Sequence, residues 1–159
     1  MSIDPSFVDM SSMRALREAF DSAPDPTPDD LIGEYRAEYV GPLWLRSAAP
    51  VIMRLGRMPG WCGKRFARGE DPTGPLVGVN LLRSGEQIND SIPMTAAIGP
   101  SRRDGRPALI VGYPVDAPFP WPRVVDELRP FGDSALIGVT FGIPGSLPGG
   151  TPFVLRRIG

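Results

Sequence analysis

The chain of 159 residues contains no histidine, and that absence excludes more chemistry than any motif in it supplies. Without imidazole there is no Ser-His-Asp or Cys-His nucleophilic system, no His-ligated haem and none of the common zinc sites. A carboxylate-only metal site would need a spaced Asp cluster of EF-hand type, and none is present. The single cysteine, Cys62, leaves no internal disulfide and suits a reducing cytoplasm, the compartment expected here. No apolar run approaches the roughly 18 residues of a membrane span. The segment Met1 to Met10 has neither a basic nor an apolar leader region, so secretion is not expected. Lysine is confined to Lys64, and no basic run exceeds two residues, so nucleic acid is not an expected partner. Any catalysis must use Asp, Glu, Tyr, Arg, Lys64, Ser, Thr or Cys62, and no cofactor is expected.

What is present is globular in composition, with 42% apolar and 22% charged residues. Its 19 glycines and 20 prolines recur between short apolar runs, the pattern of turns joining many strands. Residues 1–30 carry seven acids against Arg14 and Arg17, while residues 31–159 are mildly basic. The division expected is an acidic helical arm with a Pro-rich linker over 1–28, followed by a barrel domain over 29–159. Ser11 or Ser12 can cap a short helix through about Asp21, with Met13, Leu16 and Phe20 on one stripe. Thr27-Pro28-Asp29-Asp30 reads as a helix start lasting barely one turn.

In Gly33 to Val40, Tyr35, Ala37 and Tyr39 share one face, and Glu34, Arg36 and Glu38 the other, so the segment reads as a strand. Leu43 to Leu55 has helical spacing, with Pro50 expected to split or kink it. Strand-like runs follow at Trp61–Ala67, Leu76–Leu82, Ile92–Ile98, Ala108–Tyr113, Val124–Arg129, Ala135–Phe141 and Pro152–Ile158, with a hairpin signal at Asp104-Gly105. About eight short strands with one helical excursion predict a mainly β, closed antiparallel barrel with an N-terminal helix and a helical lid segment. The Gly-rich stretch Gly142 to Gly150 lacks a Gly-Lys-Ser/Thr ending and a following helix, so it reads as a strand connection, not a phosphate loop.

Gly33-Glu34-Tyr35-Arg36-Ala37 resembles a degenerate Gly-x-Trp-x-Gly element of a bacterial family of unknown function named GXWXG. Trp61-Cys62-Gly63-Lys64-Arg65-Phe66 and the ending Pro152-Phe153-Val154-Leu155-Arg156-Arg157 are similar to stretches of the same family, so the resemblance spans roughly residues 30–158. Tyr35 stands in place of the Trp and Ala37 in place of the second Gly. The resemblance implies no activity. The Gly-x-Trp start also resembles lipocalin-like barrels, which implies a barrel fold and hydrophobic small-molecule ligands.

The candidate site residues follow from these strands. Tyr35, Tyr39, Trp61 and Tyr113 each offer an apolar body and a polar tip, and can line a pocket or form plain core. On a regular strand only one of Lys64 and Arg65 can face inward. Lys64 would share its face with Cys62 and Phe66, and Arg65 with Trp61 and Gly63. An interior cation would anchor an acidic ligand group, or pair with Glu34, Glu38 or Asp126. If chemistry occurs, Tyr35, Glu38, Arg65 and Asp126 are the candidates for it, through a carboxyl with a raised pKa or a polarised carbonyl. The leading expectation is a binder of a hydrophobic small molecule, possibly acidic, acting as monomer or homodimer. The alternatives are a cofactor-free cyclase or isomerase on a polyketide- or terpene-like substrate, and a structural module with a filled core. Opposite charge favours docking of the acidic arm over the barrel mouth as a lid; the alternatives are an arm packed elsewhere on the body, in a partner subunit, or disordered.

Overall fold

Antiparallel pairing runs unbroken around eight strands, because each short alternating run ends in a Gly- or Pro-bearing turn that reverses the chain. The computed structural model describes residues 4–144, 146 and 148–158, so Gly145 and Leu147 of the Gly142–Gly150 connection lie outside the described residues. Helix α1 (Met13–Ser22) precedes β1 (Gly33–Glu38), and α2 (Leu43–Leu55) follows it. Then come β2 (Trp61–Arg68), β3 (Leu76–Ser84), β4 (Gln87–Pro100), β5 (Pro107–Gly112), β6 (Val125–Phe131), β7 (Ala135–Phe141) and β8 (Thr151–Arg157). Each strand pairs with the next, and β1 closes the barrel against β8, with Ala37 opposite Leu155.

The helices start where the sequence predicts. Ser12 Oγ accepts from Ala15 N at 3.1 Å, capping α1, and Thr27 shares a capping box with Asp30 over the single turn Pro28–Asp30. Pro50 does not split α2, which runs unbroken to Leu55. Proline removes only one donor, to the carbonyl of the exposed Arg46, and the apolar face against the barrel holds the turns together.

One half of the barrel is filled. Tyr35, Phe66, Leu76, Leu109, Leu128, Leu136 and Leu155 are buried in one cluster, and Phe153 packs so closely on Gly138 that an added Cβ would meet its ring at 2.5 Å. The other end opens under α2.

Strand β7 is apolar on both faces, so its outer face needs a cover. Helix α1 supplies it. Leu16, Ala19, Phe20 and Ala23 pack on Phe131, Ala135, Ile137, Val139 and Val154 outside the wall. Leu16 and Phe20 are fully buried, worth about 1.5–3 kcal/mol each. Arg129 pins the contact: it donates to Phe20 O at 3.0 Å and to both Asp104 oxygens at 2.9 and 2.7 Å, while its guanidinium lies 4.4 Å from the Phe20 ring. Arg103 grips the Asp21 carboxylate at 2.7 Å, and Arg106 donates to Asp25 at 2.7 Å. The acidic arm thus docks on the basic β4–β5 turn and the β6–β8 wall. As a lid over the mouth it is corrected: the lid is α2, and of α1 only Met13 reaches the pocket wall.

Candidate functional site

The open half of the barrel holds a cavity of about 140 Å³ between α2 and the strands. Leu45, Ala49, Ile52 and Met53 of α2 roof it, and Tyr39, Met58, Trp61, Trp121 and Phe153 form apolar walls. Trp121 is tied to the end of α2 by its indole N–H, which donates to Gly56 O at 2.5 Å. Tyr39 stacks edge-on against Trp61 with centroids 5.9 Å apart, and burial raises its phenol pKa.

Into this apolar wall the barrel inserts one polar cluster. Lys64 of β2 and Asp126 of β6 point inward from opposite sides of the barrel and meet at 3.0 Å, with side chains 2% and 4% exposed. Lysine has three N–H donors. They reach Asn80 Oδ1 at 3.0 Å, the Tyr113 hydroxyl at 2.6 Å and the Met94 sulfur at 3.6 Å, beside the ion pair with Asp126. Tyr113 in turn donates to Asp126 Oδ2 at 2.9 Å, and Thr140 Oγ1 donates to Asp126 Oδ1 at 2.9 Å. Asn80 is held by Trp61 Nε1, which donates to its Oδ1 at 3.1 Å, and by its own bond to Ile92 O at 3.0 Å. The Lys64 ammonium also sits 5.6 Å from the Trp61 ring and 5.2 Å from that of Tyr113. Burial, then the charge of Asp126 and the bond to it, hold the Tyr113 phenol protonated, with a pKa well above the ordinary one.

The predicted residues divide by depth and by face. Lys64, Asp126, Tyr39, Trp61 and Tyr113 line the cavity. Arg65 does not: it lies on the outer face, 2.6 Å from Asp90 and 3.9 Å from Glu34. Glu38 is also outside, held by Arg156 Nε at 2.5 Å. Regular alternation from the inward Lys64 and Tyr35 sends both outward. Tyr35 is interior but belongs to the packed half, where its hydroxyl donates to Asp30 O and accepts from Arg157, each at 2.9 Å. Neither Glu38, Arg65 nor Tyr35 can touch a ligand in the cavity.

Trp61 breaks the expected alternation. A β-bulge at Cys62 lets Trp61 pair with Leu82 while Gly63 pairs with Leu81, so Cys62 is a spare residue and Trp61 faces inward beside Lys64. Two cluster members escaped the sequence reading, Asn80 and Thr140. Each is the only polar residue at an inward position of an otherwise apolar run, Leu76–Leu82 and Ala135–Phe141, and that parity is the signal that finds them.

No family model matches the chain, and no curated protein matches it. It is similar in fold to a protein of Thermomonospora curvata known from a crystal structure, with a TM-score of 0.66 over 95% of this chain and 90% of that one. At 22% identity the likeness extends to the barrel fold alone.

Proposed function

We propose that the barrel binds an uncharged hydrophobic small molecule in the cavity beneath α2. The observation that carries this is the closure of the polar cluster within an apolar pocket. All three Lys64 donors are used inside the protein, and Asp126 balances its charge at 3.0 Å. An acidic ligand would meet no free cation and would be repelled by Asp126. Among the described residues, the groups facing the cavity with hydrogen-bonding capacity to spare are the acceptors Asp126 Oδ1 and Thr140 Oγ1 and the hydroxyls of Tyr39, Ser146 and Thr151, so a neutral hydroxyl, which both donates and accepts, suits the polar end of the ligand. The cavity approaches the ~150 Å³ of an apolar void that holds one benzene, so the closed barrel accommodates one ring or a short chain. A larger ligand requires α2 to move.

The cyclase or isomerase reading would draw on Tyr113 and Asp126. The Tyr113 proton is already committed to Asp126 at 2.9 Å, and proton donation to a substrate would have to break that bond. Binding needs no such step.

The experiment compares octan-1-ol with octanoate by calorimetry and by Trp61 fluorescence, alongside native mass spectrometry of protein from its own host. Octan-1-ol should bind and octanoate should not, and Ala49→Trp, which fills the cavity from the roof, should abolish the binding. Equal binding of the two, or binding unaffected by Ala49→Trp, would refute the reading.

A further inference from the structure

Helix α2 is apolar on two faces, and the barrel uses only one of them. Leu45 and Met53 are buried against the barrel, whereas Trp44, Val51 and Leu55 are 56%, 57% and 77% exposed. With Ala48 between them, these residues fall at i, i+4, i+7 and i+11, a single stripe along the helix. Trp44 and Ala48 also line the cavity, so the stripe is continuous with the pocket mouth. A stripe of this size on a lid calls for an occupant.

Charge identifies its kind. From Tyr39 to Gly69 the chain has six basic residues and no acid. Lys64, Arg65 and Arg68 are paired, with Asp126, Asp90 and Asp29 respectively. Arg46, Arg54 and Arg57, all exposed, have no carboxylate within ion-pair distance among the described residues. Arg54 lies one turn from Val51 along the helix, and Arg57 just beyond its end. A second copy of this chain would bring the same unpaired arginines face to face, which disfavours self-association. A convex helix with an apolar stripe, an exposed tryptophan and unpaired arginines beside it suits an interface where apolar and anionic layers lie within a few ångströms of one another.

We infer that α2 docks on the surface of a bilayer containing anionic lipid. The stripe sinks into the headgroup–acyl boundary while Arg54 and Arg57 contact phosphates, and the barrel mouth faces the membrane. This inference stands on the outer face of α2 and does not depend on what the cavity holds.

The test uses the full chain and vesicles of phosphatidylcholine, with and without about one third phosphatidylglycerol. The protein should co-sediment with the anionic vesicles at low salt and be released as salt rises. Trp44 emission should shift to the blue on binding, a shift missing in Trp44→Phe. Val51→Glu/Leu55→Glu, at exposed positions, should abolish sedimentation while near-UV circular dichroism stays unchanged. Arg54→Gln and Arg57→Gln should each weaken partitioning by roughly fivefold. No sedimentation at low salt would overturn the inference, as would sedimentation that the Val51→Glu/Leu55→Glu variant retains. A concentration-dependent dimer lost in that variant, without vesicle binding, would assign the stripe to a second copy and also overturn it. Alcohol binding by the free protein is read without vesicles, so failure of one reading leaves the other standing.

Discussion

Lys64 Nζ and Asp126 Oδ2 lie 3.0 Å apart inside the barrel, joined from β2 and β6 across an apolar cavity. Such a pair gains little net energy over a well-packed apolar one, but it is costly to break from one side, since the surviving charge stays buried. Lys64→Met or Asp126→Asn alone should each cost about 3–5 kcal/mol in urea unfolding. The double variant should lose markedly less than the sum of the two. Additive losses in that cycle would show that the two groups are not energetically coupled.

The same cluster sets an alkaline limit. The folded pKa of Tyr113 lies well above its ordinary 10.0, because burial and then the Asp126 carboxylate oppose the phenolate. A raised folded value means that the stabilisation is complete below about pH 10 and is lost as pH climbs through the folded value. Tyrosinate absorbance should therefore appear for Tyr113 only as the barrel opens. In Tyr113→Phe the alkaline loss of stability should flatten. Ordinary titration of Tyr113 near pH 10 in the folded protein would contradict this.

At the acid end, the group to watch is Asp104, whose pKa is lowered chiefly by its hydrogen bonds from Arg129. A depressed folded value gives stability that is present above the ordinary carboxylate range and lost as pH falls through the folded value. Asp104→Asn should cost about 1–2 kcal/mol at neutral pH. The gap from the unaltered protein should close below about pH 4. A gap that persists into acid would mean that the carboxylate charge is not what Arg129 needs.

Removing residues 1–22 separates cover from lid. The truncation uncovers Ile137, Val139 and Val154, which α1 buries. A sharp fall in the urea midpoint with exposed apolar surface is expected, and Phe20→Ala alone should cost about 3–5 kcal/mol. An arm that merely gated the pocket would instead leave stability intact and speed ligand exchange.

Tyr35 tests the division of the barrel into two halves. Tyr35→Phe removes the hydroxyl shared by Asp30 O and Arg157, at a cost of about 1 kcal/mol. Octan-1-ol affinity should not change, and a drop in affinity would place Tyr35 in the site after all.

The strands were legible because Gly and Pro mark their ends, and period-two alternation separates Lys64 from Arg65 and Tyr35 from Glu38 by face; which face points inward was not legible, and the candidates Arg65 and Glu38 lie outside. Alternation reports a face and not a depth. Tyr35 and Tyr39 share a parity, but four residues of strand separate them by about 13 Å, enough to put one in packed core and the other in the cavity wall. Pairing across the barrel was legible only as a choice among Glu34, Glu38 and Asp126. Lys64 and Asp126 are 62 positions apart in sequence, and only closure of the barrel brings them together. The arm's docking place was written in β7, where Ala135–Phe141 is apolar at both parities and so demands a cover on its outer side.

The bulge in β2 bears on how this chain tolerates insertion and deletion. Losing a residue from a regular strand reverses every side chain on one side of the cut. Cys62 is the exception in β2, because it pairs with nothing: Trp61 would remain opposite Leu82 and Gly63 opposite Leu81. A chain lacking Cys62 should keep the indole of Trp61 on Asn80 and fold to the same barrel, as its near-UV circular dichroism would report. Loss of Arg65 instead should swap the inner and outer sets on one side of the cut in β2 and unfold it, and loss of Gly63 would keep parity but seat Cys62 where a Cβ meets Tyr35 O at 1.9 Å. The strand therefore has one position at which length can change without a change of parity or a clash, and it lies beside the residues that shape the cavity.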